Sequence, residues 1–279
     1  MAALKANAAG IIDAEVGGVV GDIIGTETDT ALRLIEGRGT PDADWQHWLA
    51  LQQVQHISVT DLVPFGARAL IIAPHPDDEV LGCGGLLQML ASHHREITLI
   101  AVTDGSASHP GSPIWPAERL ARVRREETTE ALARLMLFNI NVVRADVPDG
   151  HVCKHTKPLA ALIVRLAQPG DVIFCTWRHD GHPDHEASYA AAAAAAFHSH
   201  ARLIELPIWM WHWARPGNPS IPWHRMRRLA LDDKVIECKR AAIRCYRSQL
   251  ECDVSTGSTP ILPPHVLERL LHPEEYYFV

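Results

Sequence analysis

Two short segments gather the residue types that hydrolytic metal sites use. Ala73-Pro74-His75-Pro76-Asp77-Asp78-Glu79 and Arg178-His179-Asp180-Gly181-His182-Pro183-Asp184-His185-Glu186 each contain a His-Pro-Asp unit followed by another polar residue. Together they offer His75, Asp77, Asp78, His182, Asp184 and His185. Zinc favours imidazole nitrogen and carboxylate oxygen, and a catalytic site takes three protein ligands and keeps one position for water. Six candidates exceed that need, so some residues can hold metal while others move protons. A bound metal brings the pKa of water down to about 7 and polarises a carbonyl. A neighbouring carboxylate can then act as base, and an imidazolium can stabilise an oxyanion or protonate a leaving amine. One such loop alone would suit turn and capping chemistry equally well, because Asp ahead of a helix commonly caps its free N–H groups. Two loops at matching positions favour a site. Glu79 reads as a first-turn helix residue and not as a ligand.

Matching positions require the right elements. Residues 67–73 form a short apolar run rich in β-branched residues, which reads as a buried strand, and it ends at Pro74. A helix follows from about 79 to 93, a strand at 96–102, a polar Pro-rich loop, and a long charged helix at 117–137. Further strands are expected at 141–144, 171–176 and 202–206, with helices at 158–167, 184–198 and 232–246. This alternation implies βαβ units, and hence an α/β fold: a Rossmann-like three-layer sandwich with a mainly parallel sheet covered on both faces. Such sheets bind ligands at the carboxyl ends of their strands. Both candidate loops sit there.

Residues 1–65 read as an N-terminal extension packed on a domain of residues 66–279, with short helices expected at 31–35 and 44–51. The net charge of −7 leaves no basic footprint, which excludes nucleic acid as the main partner. No apolar run approaches the roughly 18 residues of a membrane span, and Asp13, Glu15 and Asp22 interrupt what might otherwise be a signal core. Six scattered cysteines without a C-x-x-C pair read as reduced, buried thiols of a cytoplasmic protein. Most tryptophans of Trp209-Met210-Trp211-His212-Trp213 should be core, with lining of a pocket that stacks on a sugar as the alternative.

The motif A-P-H-P-D-D-E-x-L-G-x-G-G at 73–85, with V-T-D-G at 102–105 and H-P-D-H at 182–185, resembles the LmbE-like or PIG-L family of zinc-dependent N-deacetylases over roughly residues 67–250. Spacing does not separate Asp77 from Asp78; the resemblance does. It implies that His75, Asp78 and His185 are the metal ligands, that Asp77 is the general base and that His182 assists the intermediate or the leaving amine. It also implies that an arginine of an R-x-x-E helix reaches the substrate's sugar hydroxyls; Arg124 aligns with it, Arg122 and Arg125 are the competing positions, and a solvated charged helix face is the alternative. Asp104, at the end of the second strand, is expected to contact the substrate or to support the residues that do. Lys239 with Tyr246-Arg247-Ser248-Gln249 resembles a late K…Y-x-S-Q helix near the pocket. Some family members carry tyrosine two residues before the first histidine of the second motif, where this chain has Asp180, so His182 would work without a tyrosine's help.

The resulting expectation is a zinc enzyme that removes the N-acetyl group from an amino sugar or an N-acetylglucosamine-containing conjugate. Its partner would be a small N-acetylated molecule, and its His₂Asp set would also accept iron(II). Alternatives are an amidase for another acyl or thiol-conjugate amide, and a non-catalytic metal-binding protein on the same scaffold.

Overall fold

The apolar runs form the strands expected of them. The computed structural model describes residues 33–138 and 140–279. Strands β1 (Ala69–Ala73), β2 (Ile97–Ala101), β3 (Asn141–Arg144), β4 (Val172–Thr176) and β5 (Arg202–Leu206) pair in parallel in the order 3-2-1-4-5. Two strands that the sequence pattern does not announce, β6 (Met226–Ala230) and β7 (Glu274–Phe278), complete a seven-stranded sheet through antiparallel pairing. β1 and β4 are buried along their whole length. Side chains alternate between the sheet's faces: Ile71 and Ala73 join one apolar cluster, Leu70 and Ile72 the other.

Helices cover both clusters. In chain order they are α1 (Asp42–His47), α2 (Leu49–Gln52), α3 (Val59–Leu62), α4 (Asp78–Ser92), α5 (Ala117–Arg134), α6 (Thr156–Leu166), α7 (Pro183–Ser199), α8 (Met210–Trp213), α9 (Asp233–Ile243), α10 (Arg247–Leu250) and α11 (Pro264–Leu267). The alanine run of α7 does more than favour helix: Ala191, Ala192, Ala195 and Ala196 are its buried stripe. α4 breaks at Cys83 (φ −149°). Beyond the break the N–H groups of Gly85 and Leu86 donate to the buried Glu275 (2.7 and 2.9 Å), which also pairs with Lys239 at 2.7 Å. Close packing explains the glycine at 85, where a Cβ would lie 2.5 Å from Leu231.

The chain runs from β1 outward to β3 and then returns to place β4 on the other flank of β1. That reversal opens a crevice at the carboxyl ends of β1 and β4. It is where both His-Pro-Asp loops emerge.

Residues 33–65 lie against this domain. Of the short helix expected at 31–35, residues 33–35 are not helical and 31–32 fall outside the described residues. Gln55 to Ile57 run along the edge strand β6, with Ile57 N–H donating to Arg228 O and Arg228 N–H to Gln55 O (2.9 and 3.0 Å). An open sheet edge is thereby capped. Trp45 is fully buried, packs edge-on against Trp211 at 5.1 Å and donates its Nε1–H to Trp211 O (3.0 Å). Trp45→Ala should therefore cost about 3–5 kcal/mol, read as a lower denaturant midpoint at unchanged slope; a loss under about 1 kcal/mol would mean that this contact is dispensable.

All six cysteines are free; Cys83, Cys175 and Cys245 are buried, whereas Cys153 and Cys252 are exposed, which corrects the expectation of uniformly buried thiols. Among the described residues no helix is long and apolar enough to cross a membrane.

Candidate active site

β1 and β4 pair in register, Ile72 opposite Cys175, so the loops that follow them leave side by side. The first loop is held from behind by the late polar cluster. Gln249 Nε2 donates to Pro76 O (2.5 Å), and the Tyr246 hydroxyl donates to Glu79. Ser248 donates its N–H and its hydroxyl to Glu127 (2.8 and 2.7 Å). Asp77 sits at φ +124°, ψ −28°, a region costly for any residue with a Cβ. It stands at the N-cap of α4, yet its side chain makes no capping bond. A cap role thus does not account for Asp77. Asp78 instead accepts the His75 N–H (2.9 Å). In the second loop His182 is the N-cap of α7, its Nδ1 accepting the Asp184 N–H at 3.2 Å.

Three donor atoms converge between the loops. His75 Nδ1 and His185 Nε2 are 3.2 Å apart, and Asp78 Oδ2 lies 3.4 Å from the first and 3.2 Å from the second. A tetrahedral zinc with ligands at about 2.0–2.1 Å would set its donors about 3.3–3.4 Å apart. The three residues fit such an ion. His182 adds a ring nitrogen within 4.8 Å of those of His75 and His185.

The far sides of both imidazoles face carboxylates. His185 Nδ1 meets Asp180 Oδ2 at 2.8 Å, while His75 Nε2 lies 3.3 Å from Asp149 Oδ1 and 3.4 Å from Asp184 Oδ2. Asp149 and Asp184 are themselves anchored by the N–H groups of Ala107 and of Gly150 and Val152. Carboxylates behind metal-binding histidines fix the tautomer, placing the proton on the outer nitrogen and the lone pair inward. Two lone pairs and a carboxylate oxygen then crowd within 3.4 Å. That arrangement is repulsive unless a cation or proton occupies it. Without a metal, a proton takes the place: burial opposes charge on His185, but Asp78 and Asp180 raise its pKa to about 9. Burial likewise opposes the charge on Asp78, whose carboxyl His185 and His75 nevertheless hold well below the usual range.

The proton-moving candidates differ in electrostatics. Burial, then the adjacent Asp78 and Glu79, push the Asp77 carboxyl well above the usual carboxylate range, against Arg124 and His75. Burial and the neighbouring His185 and His75 lower His182 to about 3, so it is neutral. Glu79, read from sequence as an ordinary first-turn residue, is buried and raised by burial to about 7. It accepts the Asp77 N–H at 3.2 Å and buttresses the loop.

The expected substrate contacts are engaged with the protein. Arg124 is 1% exposed and donates to Gly105 O (2.7 Å), Ser108 Oγ (2.9 Å) and Ser248 Oγ (3.3 Å). Gly105 has φ +63°, and a Cβ there would collide with that guanidinium. Asp104 pairs with Arg125 and Arg144. In the tryptophan segment, Trp211 is core, whereas Trp213 stacks on Trp177 at 6.1 Å and donates to Asp180 O. Trp213 also lines a cavity of about 720 Å³ with Thr40, His47, Trp48 and His212, which the three converging residues do not line. The sequence reading passed over Asp149, which hides in a Pro-Asp-Gly turn signal, and read Asp180 only as a departure.

Residues 70–196 match the family model described as PIG-L: GlcNAc-PI de-N-acetylase. A diacetylchitobiose deacetylase of Thermococcus kodakarensis is 27% identical over 133 residues, 47% of this chain and 49% of its own. The match therefore spans about half the length of that curated relative. A 1D-myo-inositol 2-acetamido-2-deoxy-alpha-D-glucopyranoside deacetylase of Corynebacterium diphtheriae is 26% identical, covering 68% of this chain and 78% of its own. A deacetylase solved in complex with teicoplanin, from teicoplanin biosynthesis, superposes with a TM-score of 0.51 at 19% identity over 66% of this chain and 88% of that one, which speaks to the fold alone.

Proposed function

We propose that this protein, whose residues 70–196 match the PIG-L family model, is a metal-dependent hydrolase that removes the N-acetyl group from an amino sugar or an N-acetylglucosamine-containing conjugate. The observation that carries this reading is the convergence of His75 Nδ1, His185 Nε2 and Asp78 Oδ2 at 3.2–3.4 Å, each imidazole backed by carboxylate. Zinc is the metal this nitrogen and oxygen set favours, and iron(II) would also be accepted. When bound, the ion supplies Lewis acidity toward the substrate carbonyl and acidifies a water. The acetylated sugars on which the two curated relatives act, by their names, support an amino-sugar substrate.

The chain's own residues supply the proton steps. Asp77 takes a proton from the attacking water as the carbon–oxygen bond forms. It then returns that proton to the amine nitrogen as the carbon–nitrogen bond breaks, leaving free amine and acetate. A raised pKa suits this two-way role, since a base and acid works best with a pKa near the operating pH. His182, neutral and with Nδ1 already accepting a backbone N–H, keeps its proton on Nε2 and donates a hydrogen bond from it to the developing oxyanion. The imidazolium considered from sequence gives way to a neutral donor. Arg124, three of whose N–H groups donate to Ser248, Gly105 and Ser108, favours the ionised form of Asp77 electrostatically; Asp104 anchors Arg125 and Arg144. Six unpaired thiols support a cytoplasmic setting.

Acetate release from a panel of N-acetylglucosaminides tests the proposal. We expect turnover with metal, none after chelation and recovery on adding zinc or iron(II). A protein that holds metal and hydrolyses none of the panel would return the non-catalytic reading. His182→Ala should lower kcat about 10²-fold with metal content unchanged. In the parent, activity should fall as pH drops through the raised pKa of Asp77, with no limb from His182, which stays neutral above about pH 3. An acid limb that disappears in His182→Ala would contradict this division.

A further inference from the structure

Asp180 is completely buried (0% exposed), and both of its carboxylate oxygens are filled. Oδ1 accepts the backbone N–H of Ile208 (2.9 Å) and of Met210 (3.0 Å). Oδ2 accepts the N–H of Trp209 (3.0 Å) and faces His185 Nδ1 at 2.8 Å. Its main-chain carbonyl accepts Trp213 Nε1–H (3.0 Å). One residue thus joins the loop after β4, the segment after β5 and the back of an imidazole whose front faces Asp78. No lysine or arginine is among these partners. The fourth contact, to His185 Nδ1 at 2.8 Å, meets an acceptor oxygen that the backbone N–H groups already hold in place.

We infer that Asp180 is a positioning residue that sets the metal affinity of the site: it fixes His185 with its proton on Nδ1 and its Nε2 lone pair directed at His75 and Asp78, and it locks that ring to the tryptophan segment. The inference rests on the metal-site reading above. The position at which some members of the resembling family carry tyrosine thus gives this chain a support on the far side of His185.

The test is a metal titration of the parent and of Asp180→Asn by competition with a chromophoric chelator, with thermal unfolding of both metal-free proteins alongside. Loss of an outer carboxylate partner typically weakens metal binding about 10–100-fold. We expect a loss in that range, with kcat at saturating metal changed much less than affinity. Equal affinity in the two proteins overturns the inference. Should Asp180→Asn fail to fold, nitrogen-15 NMR of the histidine rings in the zinc-loaded parent decides. A slowly exchanging proton on His185 Nδ1 with Nε2 ligated supports the inference, and Nδ1 ligation overturns it. A parent that binds no metal fails in its own titration, before any ratio is formed, and so marks failure of the site reading itself.

Discussion

Asp77→Asn should lower kcat for N-acetyl hydrolysis by about 10²–10⁴-fold while the protein still takes up metal. The side chain makes no capping bond to α4, and its backbone sits at φ +124°. A conformation that costs about 1–3 kcal/mol persists only where the surroundings hold it. Here Glu79 accepts its N–H, and Gln249 pins the carbonyl of Pro76. The strained turn holds Asp77 apart from its neighbour Asp78 and leaves its carboxyl free of structural duty. Asparagine preserves the shape and removes only the ability to take a proton. Steady-state kinetics with metal analysis on the same sample separate the two outcomes. Metal loss equal to that of Asp78→Asn would contradict the assignment.

Asp78→Asn should lose stoichiometric metal and, with it, activity down to background. Asp78 Oδ2 lies 3.4 and 3.2 Å from the two imidazole nitrogens and also accepts the His75 N–H, so under the proposed assignment both the ion and the loop depend on it. In the metal-free protein the carboxylate lies against imidazoles whose pKa values are raised, His185 to about 9. Replacing it leaves those rings without a counter-charge and the cation with one ligand fewer. Metal content after desalting measures the effect. Retention of a full equivalent with parent affinity would show that the ion sits elsewhere, for example at the His75, Asp149 and Asp184 group.

The centre of the parallel sheet was legible because strands buried on both faces read as continuous apolar runs; ALIIA at 69–73 and VIFCT at 172–176 are two such runs. β6 and β7 escaped because MRRLA and EEYYF carry charge at positions that only tertiary partners explain: Glu275 is buried to serve the broken helix α4, and Arg228 pairs with Glu274. The same logic divides the site. His75, Asp77, Asp78, His182 and His185 stand in two short motifs on neighbouring strands, so types and topology brought them together on paper. Asp149 and the role of Asp180 depend on which nitrogen of a ring points outward, a fact about rotamers and not about spacing. Arg124 illustrates the converse. Its place in the helix was readable, but its burial under Gly105, Ser108 and Ser248 was not.

X-ray absorption of the zinc-loaded protein measures the first coordination shell of the ion and so shows whether His75, Asp78 and His185 hold it. Two imidazoles, one carboxylate and one further light donor should give a shell of nitrogen and oxygen only, at about 2.0–2.1 Å, with one ion per chain and multiple-scattering features of two histidines. A sulfur contribution near 2.3 Å, as a cysteine ligand would give, or a shell with no histidine, would contradict that assignment.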